Sequence, residues 1–213
     1  MFTWPLTVVC GASGTGRTRF AHALAAKYNG HVVDTSDVLE AVRTMTGPEQ
    51  YPELFYQDAE DWRGFAEAEG TGPKPKRPLT QTAEELAAAR LRAADVLKPA
   101  VRAVMVRQRA HTVVTGRHAL PTLGWDFAVI LTETGEQIHA NLTTRYPNDP
   151  SLDLRVQTSM LVQKELLRTG REHHGNTRCD VIYTAARPWS DAADRADSDM
   201  NDRWDYRNAL GTW

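Results

Sequence analysis

Apolar residues run together at Leu6–Cys10, around Val32–Val33, at His111–Thr115, at Asp126–Leu131 and at Cys179–Tyr183, and these runs are rich in β-branched residues. Short unbroken runs of this kind predict buried strands. The second strand extends over His31–Val–Val–Asp34–Thr35. Between the runs, apolar positions recur at helical spacing. Phe20, Leu24 and the intervening alanines predict a helix up to Tyr28, stopped by Asn29 and Gly30. A second helix is expected from Val38 to about Met45. A long one carries Leu86, Ala89, Ala93, Val96, Leu97, Val101, Val104 and Met105. Thr82 and Glu85 form a capping box at its start, and Pro99 is expected to kink or divide it. Glu136–Tyr146 and Ser151–Thr169 read as helices, the latter ended by Gly170. Strands alternating with helices predict an α/β fold, a doubly wound parallel five-stranded sheet with helices on both faces.

Composition narrows the class. The chain has 213 residues, 41% hydrophobic and 24% charged, a balance that fits one globular domain with a substantial core. A formal net charge of -2 gives no general electrostatic footprint for nucleic acid. No apolar run approaches the ~20 residues of a membrane span, so neither nucleic acid nor membrane is an expected partner. Cys10 and Cys179 each border a predicted strand and read as buried thiols rather than a disulfide, in keeping with a cytoplasmic location. The expected domain spans residues 1–187. Within it, 47–80 is a flap or substrate loop and 135–170 a helical lid region, and 188–213 is a weakly apolar tail, partly helical or partly disordered.

The first strand leads into Gly11–Ala12–Ser13–Gly14–Thr15–Gly16–Arg17–Thr18, and a helix follows. This is the order of a phosphate cradle. Glycine permits the dihedrals that turn backbone N–H groups inward, and the helix N-terminus adds partial positive charge. The spacing fits the phosphate-loop pattern G-x-x-x-x-G-K-[ST] except that Arg17 stands in the lysine position. Arginine keeps the charge but is planar, wider and bidentate. Arg19 removes the third glycine of a dinucleotide fingerprint.

Other candidates lie where open α/β sheets bind ligands, outside the carboxyl ends of strands. Ser36 and Asp37 follow the second strand, and each is a candidate helix cap. Asp37 is also placed to orient a substrate hydroxyl or to help hold Mg²⁺ through water. Tyr51, Phe55, Tyr56, Trp62 and Phe65 form an aromatic group suited to lining a pocket or packing a flap. The loop Gly70–Pro78 carries three prolines and three positive charges and reads as a basic lip or a solvated surface loop. Arg155, Gln157, Lys164 and Arg168 lie on the last helix, where a lid would supply charge or a solvated face would carry it.

Together these stretches resemble P-loop kinases of the 2-phosphoglycerate kinase type, over most of residues 6–185. The glycine loop carries the resemblance first. Thr35–Ser36–Asp37 matches the family's Ser/Thr-Thr-Asp, and Gly116–Arg117–His118 with Pro121 matches its Glu-Gly-x-His and proline. Leu154–Arg155–Val156–Gln157 matches a late helix opening, and Arg145 a lid arginine. The chain departs from the family at Arg17, at Thr115 for an acidic residue, at Glu40 for an arginine with Arg43 one turn on, and at Asn141 for the first lid arginine.

The resemblance implies a P-loop kinase fold with a helical lid, and ATP and Mg²⁺ as cofactors. Gly11–Thr18 with Arg17 would hold phosphates, and Thr18 would ligate the metal. Arg145 and Arg155 would close over the phosphates. Ser36, Asp37, Arg43 and His118 would face a small hydroxyl-bearing acceptor, and Asp37 would orient or deprotonate it. The departures point away from 2-phosphoglycerate itself. Two other readings fit the same residues: a nucleotide-binding protein that has lost transfer, and a nucleoside or nucleotide kinase whose base stacks near Tyr56 and Trp62.

Overall fold

The computed structural model describes residues 6–55, 82–108, 110–123, 127–172 and the backbone of 178–183. Five strands form one sheet, β1 (Leu6–Gly11), β2 (His31–Asp34), β3 (Thr112–Thr115), β4 (Phe127–Thr132) and β5 (Arg178–Tyr183), in the order β2-β3-β1-β4-β5. Every pairing is parallel. The helices are α1 (Arg17–Lys27), α2 (Thr35–Met45), α3 (Ala83–Met105), α4 (Gly135–Arg145) and α5 (Leu152–Glu172). Single 3-10 turns occupy Pro52–Phe55 and Pro121–Leu123.

Side-chain alternation along β1 sorts the core into two layers. Val9 faces α1 and packs with Phe20, Leu24, Val113, Val129 and Leu131. Val8 and Cys10 face the other side, where α2, α3 and α5 bring Val38, Leu39, Leu97, Val101, Val162 and Leu166. The sheet is therefore covered on both faces, as its continuous apolar strands require. Cys10 is a buried thiol.

Three boundaries differ from the sequence expectation. β2 ends at Asp34, and α2 starts at Thr35, three residues before Val38. Asp34 is the cap, since its carboxylate accepts from the Ser36 amide at 2.8 Å; Ser36 and Asp37 lie inside the helix instead. Pro99 does not divide α3, which runs unbroken for 23 residues. Pro99 and Asp95 are both exposed, so the carbonyl that loses its helical donor can bond water, while Leu97 and Val101 stay in the core. Gly170 lies within α5 on its buried face rather than ending it. The capping box is present in both directions, with Glu85 N–H donating to Thr82 Oγ1 at 3.2 Å and Thr82 N–H to Glu85 Oε2 at 2.8 Å.

Candidate active site

The strands β1, β2, β3 and β4 end together at one edge, and the register fixes what meets there. Asp34 is level with Thr115, and Gly11 is level with Leu131, two residues before Glu133. Four segments therefore converge: the glycine loop, the β2–α2 junction, residues 116–118 after β3, and residues 133–135 after β4.

The loop from Gly11 to Gly16 is held by its own bonds. Thr15 donates to the Ala12 carbonyl from its hydroxyl at 2.9 Å and from its amide at 3.3 Å. Gly14 and Gly16 have φ of 86° and 76°, left-handed values that side chains disfavour. Such turns set successive N–H groups around a concavity that accepts anions. Gly16 is also the N-cap of α1, with no side-chain cap, so the first-turn amides of α1 stand open to a ligand. The residues present thus fit a phosphate group. Thr18 is exposed in that first turn. One accessible hydroxyl fits Mg²⁺, which keeps several waters and binds through substrate phosphates.

Arg17 donates from its guanidinium to the Gly11 carbonyl at 2.7 Å, closing back across its own loop. A second arginine reaches the same loop from α3. Arg90 is only 5% exposed and donates to Ser13 Oγ at 3.3 Å. Nothing in the glycine spacing announces it. The signal was a cation within the apolar stripe Leu86, Ala93, Leu97 of α3. Glu133 was also missed. It is buried directly after β4, and its backbone is clasped by Gln163, which donates to its carbonyl at 2.9 Å and accepts from its amide at 2.9 Å.

His118 is buried, and its amide donates to Thr35 Oγ1 at 3.1 Å. Burial holds its pKa well below 6.5, and the charges of Arg117, Arg90, Arg17 and Arg43 push it further down. The ring is therefore neutral at pH 7 and sits among four arginines from four segments. Gly116, at φ 117°, allows the β3 end to meet β2, because a Cβ there would lie 2.2 Å from Thr35 Oγ1 and 2.4 Å from Asp34 Oδ1. Thr115, where the resemblance has an acid, is fully buried, and its hydroxyl has no hydrogen-bond partner among the described residues.

The remaining candidates are spread more widely. Ser36 is half-buried and Asp37 exposed in the first turn of α2. Arg43 clasps the Pro52–Phe55 turn, donating to the Leu54 carbonyl at 2.6 Å and pairing with Glu40 at 3.1 Å. Arg145 is exposed, with its guanidinium 5.1 Å from the Tyr146 ring centroid. Arg155 is buried against Asp149, Nε to Oδ2 2.6 Å, and lies 4.7 Å from that same ring. Arg168 pairs with Glu165 and Glu172 along the exposed face of α5. α4 is tied to the loop by Asn141, which donates to the Gly14 carbonyl at 2.7 Å. Tyr56, Trp62, Phe65, the basic stretch 70–78 and the tail 188–213 lie outside the described residues.

The fold has counterparts among solved structures. A gluconokinase from Sinorhizobium meliloti 1021 superposes with a TM-score of 0.54 at 16% identity, covering 98% of each chain. A deoxyadenosine kinase from M. mycoides, solved with dCMP and dCDP, gives 0.54 at 7% identity, covering 92% of this chain and 99% of that one. The chain has the α/β fold of these P-loop kinases. At such identities the likeness concerns the fold and not the reaction. No protein-family profile and no curated protein sequence matches the chain, so the 2-phosphoglycerate kinase resemblance rests on the short motifs alone. No helix among the described residues is long and apolar enough to cross a membrane.

Proposed function

We propose that this protein is a phosphotransferase that uses ATP and Mg²⁺ to phosphorylate a hydroxyl group of a small molecule. The observation that carries this reading is the left-handed pair Gly14 and Gly16 opening onto an uncapped α1, with Arg17 and Arg90 both bonded to the loop. Loop amides and Arg17 hold the phosphates, and the Thr18 hydroxyl holds the metal, which when bound supplies charge neutralisation between phosphate oxygens. Asp37 orients the acceptor hydroxyl and takes its proton. Ser36, Arg43 and neutral His118 line the acceptor side. Arg145 and Arg155 flank the lid, Arg155 setting its base through Asp149. Most of the rate comes from positioning and charge neutralisation. A cytoplasmic location suits this chemistry.

Calorimetric titration with a non-hydrolysable ATP analogue tests the reading. Micromolar binding that requires Mg²⁺ is expected, and absence of binding up to millimolar analogue overturns it. In a coupled ADP assay, Thr18→Ala should lower turnover by at least about tenfold. The bond from Arg17 to the Gly11 carbonyl favours a second reading, a nucleotide-binding protein without transfer. Arg17→Lys separates the two. A large gain in turnover marks a degraded kinase, and a loss marks a site built around arginine.

A further inference from the structure

We infer that Asn141 is a positioning residue for the glycine loop: its side-chain amide sets the peptide plane between Gly14 and Thr15, and so ties the loop's affinity for phosphate to α4. The inference rests on the phosphate-binding part of the reading above and not on transfer.

α4 belongs to neither of the two layers that cover the sheet. Its buried residues Ile138, Leu142 and Tyr146 form a cluster of their own, with Leu152 and Val156 packed against it. Two of these residues also meet the loop. A Cβ at Gly14 would lie 3.2 Å from the Ile138 carbonyl oxygen and 3.3 Å from the Leu142 side chain, tighter than ordinary van der Waals contact. On the exposed side of this contact stands Asn141, one turn after Gln137. Both ends of its amide are used. Nδ2 donates to the Gly14 carbonyl at 2.7 Å, and Oδ1 accepts from Gln137 Nε2 at 2.9 Å. A carbonyl only accepts, so the end facing Gly14 is the donor, and the Gln137 bond holds it there. Gln137 is fixed in turn, its N–H donating to the hydroxyl of the Thr134 cap at 3.2 Å.

Glycine gives this bond its consequence. Gly14 has φ 86° and no Cβ, so the peptide that follows it turns at little steric cost. That peptide is planar, and its carbonyl and N–H point in opposite directions. Holding the Gly14 carbonyl on α4 therefore turns the Thr15 N–H away from α4, where it meets the Ala12 carbonyl at a long 3.3 Å. A phosphate oxygen is a stronger acceptor than that carbonyl. The amide is thus oriented before an anion binds, which lowers the ordering cost of binding.

Coupling of this kind is reciprocal: if the bond from α4 favours anion binding, the anion stabilises α4 by the same factor. Two readouts follow, titration with ADP or inorganic pyrophosphate and hydrogen exchange over Gly135–Arg145 with and without ADP. Asn141→Ala replaces an exposed residue by a better helix former, and its thermal melt should stay within about 3 °C of wild type. Both ligands should weaken by the same factor, about threefold to tenfold, the effect of one hydrogen bond. ADP should slow exchange in α4 of the wild type and slow it less in the variant. Gln137→Ala should show a smaller loss of the same kind, and the double variant should lose no more than Asn141→Ala alone. If Asn141→Ala does not fold, Gln137→Ala carries the test. A purely structural Asn141 would move the melt and leave affinity and ADP-dependent protection unchanged, and that result overturns the inference. So do losses that simply add in the double variant. The larger reading fails separately. Wild-type binding of pyrophosphate but not ADP, with the loss in Asn141→Ala, keeps the inference and overturns the phosphotransferase. Wild-type binding of neither ligand overturns both.

Discussion

The glycine-loop edge of the sheet and the junction between α4 and α5 each bury an arginine, and they do so in different settings. At the junction, Arg155 and Asp149 leave only 8% and 7% of their side chains exposed and lie 2.6 Å apart. Ser151 completes the cluster, donating to Asp149 from its hydroxyl at 2.7 Å and its amide at 2.9 Å, and Tyr146 stacks on the cation. The charge is answered within the protein. At the loop, Arg90 is buried as deeply and donates to the Ser13 hydroxyl, and its charge, with those of Arg117, Arg17 and Arg43, helps to hold His118 neutral. Burial alone does not tell a structural arginine from a working one.

Breaking the junction should have the largest effect. Arg155→Met strands the Asp149 carboxylate in a buried site, which typically costs about 3–5 kcal/mol. Urea unfolding should register that loss. The double variant Asp149→Asn, Arg155→Met should recover more than half of it, because no buried charge then remains. A single variant of wild-type stability would mean that Arg155 is not the junction's anchor and would return it to the phosphates. The pair also has a pH signature. Burial alone would raise the Asp149 pKa, but the Ser151 bonds and the Arg155 charge outweigh it and hold the group below 3.8. A depressed acid stabilises the fold above its unfolded pKa, and that contribution is lost as pH falls through the lower folded value.

Histidines sharpen the same contrast at the two ends of the sheet. His111, just before β3, is buried at the opposite edge from the loop. Its Nε2 lies 3.3 Å from Thr7 Oγ1, and its ring meets Tyr28 edge-on at 4.4 Å. Burial lowers its pKa to about 4. The folded state therefore binds fewer protons than the unfolded one between about pH 6.5 and 4, and stability falls as pH drops through that window. Discounted for solvent screening, the loss is on the order of 2 kcal/mol. His111→Phe should flatten that slope in denaturant melts and leave nucleotide affinity unchanged. His118→Phe should weaken acceptor binding. A His111 variant that weakens nucleotide binding would erase the division between the two edges.

How far the sequence reveals this division follows from the separation of the residues involved. The β1–loop–α1 unit is legible because its signal is local: three glycines, a β-branched run and an amphipathic helix lie within one short stretch. The parallel sheet follows from alternating periods. Asp34 misleads because a residue that ends a strand and caps a helix satisfies both patterns, and only its bond to the Ser36 amide decides. Pro99 misleads because tertiary burial on both sides of it outweighs its local penalty. Arg90 escapes because its meaning depends on Ser13, 77 residues away, and a helical stripe with one cation reads as a solvated edge until the loop is placed against it.

The finest test of the comparison uses the two carboxylates around α2. Asp34 works within the fold: it caps α2 and touches the Gly116 corner. Asp37, exposed in the first turn of α2, contributes little to folding beyond the helix dipole. Asp34→Ala should therefore lower stability by about 1 kcal/mol through the lost cap. Asp37→Ala should stay within about 0.5 kcal/mol of wild type, as exposed substitutions do. Turnover should order them differently, with Asp37→Ala losing at least about tenfold because the acceptor loses its orienting carboxylate. Unfolding midpoints and a coupled ADP assay on the same preparations separate the two effects. Full turnover in Asp37→Ala together with loss in Asp34→Ala would move the acceptor's carboxylate to the strand end, one helical turn back, and make the cap itself part of the site.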